Sequence, residues 1–479
     1  METKLNKKII MITFMIGAFF AVLNETLLNI ALTELMEVFQ VEASTVQWMA
    51  TGFMLMMGIL MPISALLIQW FTTRQMFIGV MTIFLVGTTI AACAVNFPML
   101  LTGRMIQAVG TGLLIPVIMN ALLFLYRPEV RGKVMGTFGL VIMFAPAIGP
   151  TLSGVIVDLL GWRWLFISVI PFALFSILFA MKFLENVGEV TRPKVDIASI
   201  ILSSIGIGGI VYGFSSAGED PEGFSSIKIL SIILIGFLSL LLFVLRQLKL
   251  EEPLLDVRVF KYKNYALGVA LFVIVIMAMF ASEIVMPMYL QGPLGYSAKL
   301  AGLLLLPGAL LNGLMAPVMG SLFDRFGPGK LMIPGTIVLV MVMIFFSNIN
   351  PSMHIWSFIV VYILLMLSIS AIMMPANANA LNELPKKLYP HGTAIANTLQ
   401  PVGGALGVSI FVSIMSQGQN SYIKEQSGEI TETVMNEAMT QGVHHAYWFA
   451  LALCIAAFII ALFIRKATAP DFDQSESES

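Results

Sequence analysis

An all-α polytopic membrane protein is the fold class this sequence predicts, on three observations. Of its 479 residues, 58% are hydrophobic and 11% charged, where a soluble protein is about 25% charged. Apolar runs of about 20 residues, long enough to cross the hydrocarbon core as helices, recur along the whole chain. The basic residues between them fall very unevenly on the two sides. A soluble globule must cover itself with polar side chains, so a soluble enzyme is excluded. A net charge of −1 offers no basic field for phosphates, which excludes a nucleic-acid partner and leaves the lipid bilayer as the surroundings. The strands of a membrane barrel alternate over about 10 residues, and these runs do not. Cys93 and Cys454 both lie in apolar runs, so neither a disulfide framework nor a metal set is expected. No cofactor is expected either.

Taken in order, the runs fall at roughly 9–33, 46–69, 76–95, 98–124, 133–158, 164–184, 196–216 and 227–246. Six more follow at roughly 264–290, 297–322, 331–349, 354–380, 392–416 and 444–465, giving fourteen spans. Charges, polar clusters or Pro and Gly bound each one. The first run follows Lys4, Lys7 and Lys8, as a secretory signal would. It is too long for a signal's apolar core and lacks a small-x-small cleavage site, so it reads as a retained span. Gly149 and Gly154 in span 5, and Gly403 and Gly407 in span 13, permit close helix contact. Gly206, Gly208 and Gly209 superficially resemble a phosphate loop, but they sit inside span 7 and precede no Lys-Ser/Thr, so they read as packing positions. Segment 417–443 is polar and acidic (Glu425, Glu429, Glu432, Glu437); it is expected to be a partly helical outer connection without chemistry. The tail 471–479 is expected to be disordered and cytoplasmic.

Of the 26 Lys and Arg residues, 21 fall on the side holding the N-terminus. Four (Arg163, Lys228, Lys299 and Lys424) fall on the other, and Arg104 lies within span 4. Positive charge is retained in the cytoplasm, so both termini are expected there.

Three ionisable residues remain at membrane depth: Glu25 in span 1, Arg104 in span 4 and Glu283 in span 9. Each costs at least about 2.5–3.5 kcal/mol near a helix centre and must face a partner or a wet cavity. Two readings are open for Glu25 and Arg104: a fixed structural ion pair, or a group that exchanges a proton for a substrate. Glu283, near the outer third of its span, is open between a proton or cation site and a structural acid. Asn24, Asn29, Gln107, Asn120, Asn312, Asn377, Asn379, Asn397 and Gln400 either bond neighbouring helices or line a substrate cavity. The 33 Met and 34 Phe suit lipid-facing surface, and equally a soft cavity for varied apolar ligands.

Several stretches carry a resemblance. GSLFDRFGPGK (320–330), between spans 10 and 11, resembles the GxLaDRxGrkxxl loop of the major facilitator superfamily, in which Asp324 and Arg325 would form a charge latch. A weaker copy, LIQWFTTR (67–74), keeps only Arg74 for that role; corresponding loops are what repeated half-bundles produce. LTGRMIQAVG (101–110) resembles the family's span-4 motif, whose arginine is implicated in proton coupling. The segment 139–154, with Pro146, Gly149, Pro150 and Gly154, resembles the span-5 motif that marks exporters more than importers, and GWRWLF (161–166) follows it. LNETLLNIAL (23–32) resembles the LDxTxVNxALP signature of the fourteen-span drug:proton antiporters of the EmrB/QacA type. Here Asn24 occupies the acid's position and the acid is Glu25. A one-residue shift turns a helical side chain by about 100°. In this departure, and with EPLLD (252–256) before span 9, the chain most resembles the lincomycin-resistance multidrug exporters of Gram-positive bacteria.

The resemblance implies two six-helix bundles, 1–190 and 255–470, with two additional helices in 191–254 between them. It implies alternating access around a midplane cavity and proton-coupled efflux of drugs, lincosamide-like antibiotics or lipophilic cations, across the cytoplasmic membrane. Glu25 and Arg104 would couple the proton, and Glu283, the other acid at membrane depth, is a further candidate for that role. An importer or facilitator of a small metabolite is the alternative, and a membrane-embedded enzyme a remote one. The four histidines lie in loops or at span ends, and the chain has neither H-E-x-x-H nor G-x-S-x-G, so a secondary transporter is expected. For relatives of this type an accessory export partner is an open alternative that no residue here supports.

Overall fold

The computed structural model describes residues 7–126, 128–184, 186, 196–220, 222–251, 253–385, 387–426 and 431–467. Lys4, Arg127, Arg192, Lys194, Glu252, Lys386, Glu429 and the tail 471–479 lie outside them. Among the described residues there are fourteen helices long and apolar enough to cross a membrane, and no strand. They are α1 (Lys7–Phe39), α2 (Trp48–Trp70), α3 (Thr73–Ala92), α4 (Phe97–Leu125) and α5 (Pro128–Leu160). Then come α6 (Ile170–Phe183), α7 (Ile197–Ser216), α8 (Ile227–Lys249), α9 (Lys263–Gln291) and α10 (Ala298–Phe326). The last four are α11 (Gly329–Phe346), α12 (Ile355–Asn382), α13 (Tyr389–Glu425) and α14 (Glu432–Phe463).

Helix starts follow ordinary capping chemistry. Thr72 and Gln75 form a reciprocal capping box at α3, and Asn96, Ser297 and Thr431 each accept from the backbone N–H three residues on, at α4, α10 and α14. These side chains satisfy N–H groups that a helix leaves unpaired at its first turn. Gly327, at φ 76°, ends α10 in a conformation that a Cβ would strain. The expected 417–443 connection is mostly helix, because α13 continues to Glu425 and α14 starts at Glu432. Hydrophobicity stops at the membrane edge, but the backbone ladder of two helices packed against each other does not.

Small residues set how closely the helices approach. A Cβ on Gly87 of α3 would lie 2.5 Å from the Gln107 backbone nitrogen, and one on Gly103 of α4 would lie 2.7 Å from that of Ala91. The two backbones therefore touch. Gly407 of α13 meets the Met277 carbonyl of α9 in the same way, and Gly206 and Gly209 of α7 pack against Leu240 and Gly236 of α8. Arg246 clasps Asp196 with two bonds of 2.8 Å at the start of α7, which holds that carboxyl down to about 2. Helix α8 presents Leu230, Leu234, Leu238, Leu241 and Leu245 outward, as a lipid-facing helix does.

The described hydrogen bonds joining α1–α6 to α9–α14 lie at the end opposite the described chain termini. Thr151 donates to the Gly302 carbonyl at 3.0 Å, and Gln291 donates to the Ile30 carbonyl at 3.0 Å. A Cβ on Gly154 would stand 2.3 Å from the Ala298 carbonyl oxygen. Helix α7 braces this end on both sides, through Gln47 to the Ser215 carbonyl (3.4 Å) and Ser215 to Ser409 (2.9 Å).

Overpacking such a contact costs about 1–3 kcal/mol, so Gly154→Leu is expected to part α5 and α10 here. Spin labels on the exposed Leu159 and Leu300 report it. An unchanged label distance would show that the contact does not hold this end shut.

Candidate functional site

The touching backbones of α3 and α4 turn Arg104 and Gln107 into the space between α1, α2 and α3. Arg104 is completely buried. Its Nη1 donates to the Asn24 side chain at 2.6 Å, the Asn24 carbonyl at 3.1 Å and the Gln107 side chain at 3.2 Å. Its Nη2 donates to the Glu25 backbone carbonyl at 3.0 Å, and its Nε to the Met49 carbonyl at 3.3 Å. The guanidinium carbon lies 3.9 Å from the centre of the Phe53 ring. Gln107 is held in turn by Thr88, to whose hydroxyl it donates at 2.7 Å. Carbonyl and amide dipoles, with an aromatic face, thus satisfy the buried cation.

The ion-pair reading is not realised. Among the described residues no salt bridge reaches Arg104; it hydrogen-bonds the Glu25 backbone, and the Glu25 carboxyl feels its charge without a close contact. Asn24 points into the guanidinium and is fully buried, whereas Glu25, one place on, is partly accessible between buried neighbours. The residue shift read in the sequence therefore separates two tasks. Asn24 bonds the arginine, and Glu25 stays partly accessible.

Glu283 of α9 is also partly accessible, with its Oε2 turned inward and unpartnered. It lies within electrostatic reach of Glu25. Of the residues expected to line a cavity, Asn24 and Gln107 are committed to Arg104 and Asn29 is buried. Asn120, Asn312 and Asn377 are partly accessible, and Asn397 and Gln400 are exposed on α13. Asn379 instead ties α12 to the segment after α14, bonding the Arg465 carbonyl and the Ala467 N–H.

At the end nearer the described termini, Asp324 and Arg325 are exposed and Asp324 has no ion pair among the described residues. Arg74 donates to the Met181 carbonyl across to α6. Pro146 and Pro150 lie inside α5. Gly149 abuts Thr26 of α1 and Gly154 abuts α10, so the span-5 motif is wedged between the two helix sets. Thr88, Phe53 and the Met49 carbonyl were not foreseen. A threonine in span 3 gave a faint polar signal, whereas Phe53 and a backbone carbonyl gave none. No group of three or more potential metal ligands occurs among the described residues.

Hydrogen bonds to a charged group are worth about 1.5–3 kcal/mol. Asn24→Ala is therefore expected to lower the unfolding temperature in detergent well below that of Asn29→Ala. Equal losses would show that the bond to Arg104 carries little stability.

The Major Facilitator Superfamily matches residues 14–408. Lincomycin resistance protein LmrB of Bacillus subtilis (strain 168) is 47% identical over 457 residues, covering 95% of both chains. LmrB of Listeria innocua is 47% identical over 458 residues, covering 96% of this chain and 97% of that one. Among solved structures, a bacterial homologue of the human lysosomal transporter Spinster, inward-facing and unoccupied, matches with a TM-score of 0.68. At 11% identity, over 98% of this chain and all of that one, it shows the fold alone. With fourteen apolar helices and near-complete coverage by these relatives, the chain belongs to the major facilitator superfamily, as a multi-pass transporter of the cell membrane and not an enzyme.

Proposed function

We propose that this transporter exports drugs, lincosamide-like antibiotics or lipophilic cations, in exchange for protons, with Glu25 as the acid that changes hands. The observation that carries this reading is the division of labour between Asn24 and Glu25. Arg104 is hydrogen-bonded by dipoles, and the carboxyl beside it, within reach of its charge, makes no close ion pair and is partly accessible. The name of the two LmrB relatives, lincomycin resistance, supports the cargo.

In the proposed cycle the termini are cytoplasmic, so the described contacts between α5 and α10 close the outer end. Ionised Glu25 then attracts a cationic or polar-amphipathic drug from the cytoplasm or inner leaflet. Segments 1–190 and 255–470 rock about the α5 wedge, with Pro146, Gly149, Pro150 and Gly154 at its hinge, and 191–254 travels between them. A proton from outside neutralises Glu25, and the drug leaves. Arg104 stays fixed throughout, because releasing its carbonyls would leave them unpaired inside the bundle. Asn120, Asn312, Asn377, Asn397 and Gln400 offer hydrogen bonds along the path. Arg74, Asp324 and Arg325 form the cytoplasmic latch, apart in this state and joined when the outer end opens. A membrane potential contributes about 2.3 kcal/mol per charge per 100 mV, about a 50-fold drug gradient for one net charge per cycle.

Inverted vesicles with a preformed pH gradient test this. Lincomycin, then ethidium, is expected to dissipate the gradient with wild type, and at least about tenfold more slowly with Glu25→Gln, if the acid is part of the proton transfer. A variant as active as wild type would remove Glu25 from the coupling role.

A further inference from the structure

Inside the second helix set, α9 and α14 run antiparallel. A Cβ on Gly292, at the outer end of α9, would lie 2.9 Å from the Met439 sulfur of α14. At 1.5 Å per residue, Ser282 lies about 15 Å below Gly292 and Tyr447 about 12 Å below Met439, so the two are at one level. Four side-chain oxygens on these helices are buried without a hydrogen-bond partner: Ser282 Oγ, Glu283 Oε2, Tyr289 OH and Tyr447 OH. They fall in two groups, about 8 Å apart along the helix axis. The Tyr447 hydroxyl faces Ser282 without closing a bond of normal geometry, and Tyr362 of α12 is within electrostatic reach of both Glu283 and Tyr447. Nearer the outer end, the Tyr289 hydroxyl faces Thr440, whose own hydroxyl bonds the Asn436 carbonyl at 2.8 Å. Thr440 is followed by the exposed Gln441, and Glu437, one turn nearer the outer end, is exposed too.

We propose that this line of hydroxyls, Thr440, Tyr289, Tyr447 and Ser282, is a proton path that loads Glu283 from the outer face through the interior of the second helix set, separately from the drug cavity. A buried hydroxyl left unpaired costs about 1–3 kcal/mol, a cost that phenylalanine at positions 289 and 447 would avoid. Each hydroxyl both donates and accepts, and bridging water is the group that completes such a line. A proton enters from outer water at Thr440 and Tyr289. Each hydroxyl or water passes its own proton inward as it accepts one from behind, and Glu283 Oε2 takes the last, so one proton moves and no other bond changes. The carboxyl's accessible side later returns that proton to the cytoplasm. Because Glu283 and Glu25 feel each other's charge, loading one removes its repulsion on the other. This deepens the proton-driven reading and rests on it.

The test uses the full-length protein in liposomes, with whichever of lincomycin or ethidium the wild type carries. Tyr447→Phe and Tyr289→Phe keep the ring and remove only an unpaired oxygen. Each is expected to slow drug-driven proton movement at least about tenfold while leaving drug counterflow without a pH gradient unchanged. Added to Glu283→Gln, Tyr447→Phe is expected to have no further effect. Wild-type proton rates in both tyrosine variants would overturn the path and leave the Glu25 reading intact. Parallel loss of counterflow and proton movement would mark the tyrosines as packing residues and also overturn it. A wild type that carries drug without moving protons would overturn both readings together.

Discussion

Everything near the centre of the first helix set depends on how one positive charge is kept in a dry place. Arg104 is wholly buried, and a cation there is tolerated only if its donors are met. Two helix backbones meet them, with the carbonyls of Asn24 and Glu25 in α1 and of Met49 in α2, helped by two amide side chains. One side chain on α4 therefore fixes α1 and α2 against each other in the region where the chain carries an acid. The arrangement needs α3 and α4 in backbone contact, because Thr88 must reach Gln107. Gly87 and Gly103 make that contact, so glycines that look like mere packing positions set the aim of the arginine.

This explains how the shift of the acid from position 24 to position 25 leaves Arg104 fully hydrogen-bonded. A carboxylate at position 24 would sit against the guanidinium itself. With asparagine there, the arginine is hydrogen-bonded without a close acid, and the acid one place on is partly accessible and within reach of its charge. A bonded pair inside a bundle resists change, whereas a free carboxyl beside a fixed charge is poised for exchange with a cation. In the proposed cycle this separation allows Arg104 to remain static while Glu25 alternates.

The fold was largely legible because its strongest signal, length and continuity of apolar runs, is the constraint the bilayer itself imposes. Most expected span ends fall within a few residues of the helices. The largest misses, at 417–443 and at the far end of α1, arise where helices outlast their hydrophobic stretch. The site was legible in part. Glu25, Arg104 and Glu283 were visible as charges in apolar sequence, and their surroundings were not. Asn24 and Gln107 read equally well as cavity lining, because helix-to-helix bonds depend on rotation and register between segments about 80 residues apart. Phe53 and the Met49 carbonyl were silent, since nothing in one helix tells which ring or carbonyl another will present to it.

The closing contacts show a further asymmetry between the two ends. At the end opposite the described termini the meeting surfaces are backbone: Gly154 against the Ala298 carbonyl, Gly302 against the Pro150 carbonyl, Thr151 and Gln291 against carbonyls of the facing set. Such surfaces fit only in one register, and separating them exposes little charge. The end carrying the described termini presents side-chain charge instead, with Asp324, Arg325 and Arg74 exposed. Charged groups on flexible stems hold through Coulomb forces that water and salt weaken, so the latch proposed there tolerates imperfect alignment. In the proposed cycle, a bundle with one shape-defined seal and one charge-defined seal does not pass through its two closed states symmetrically.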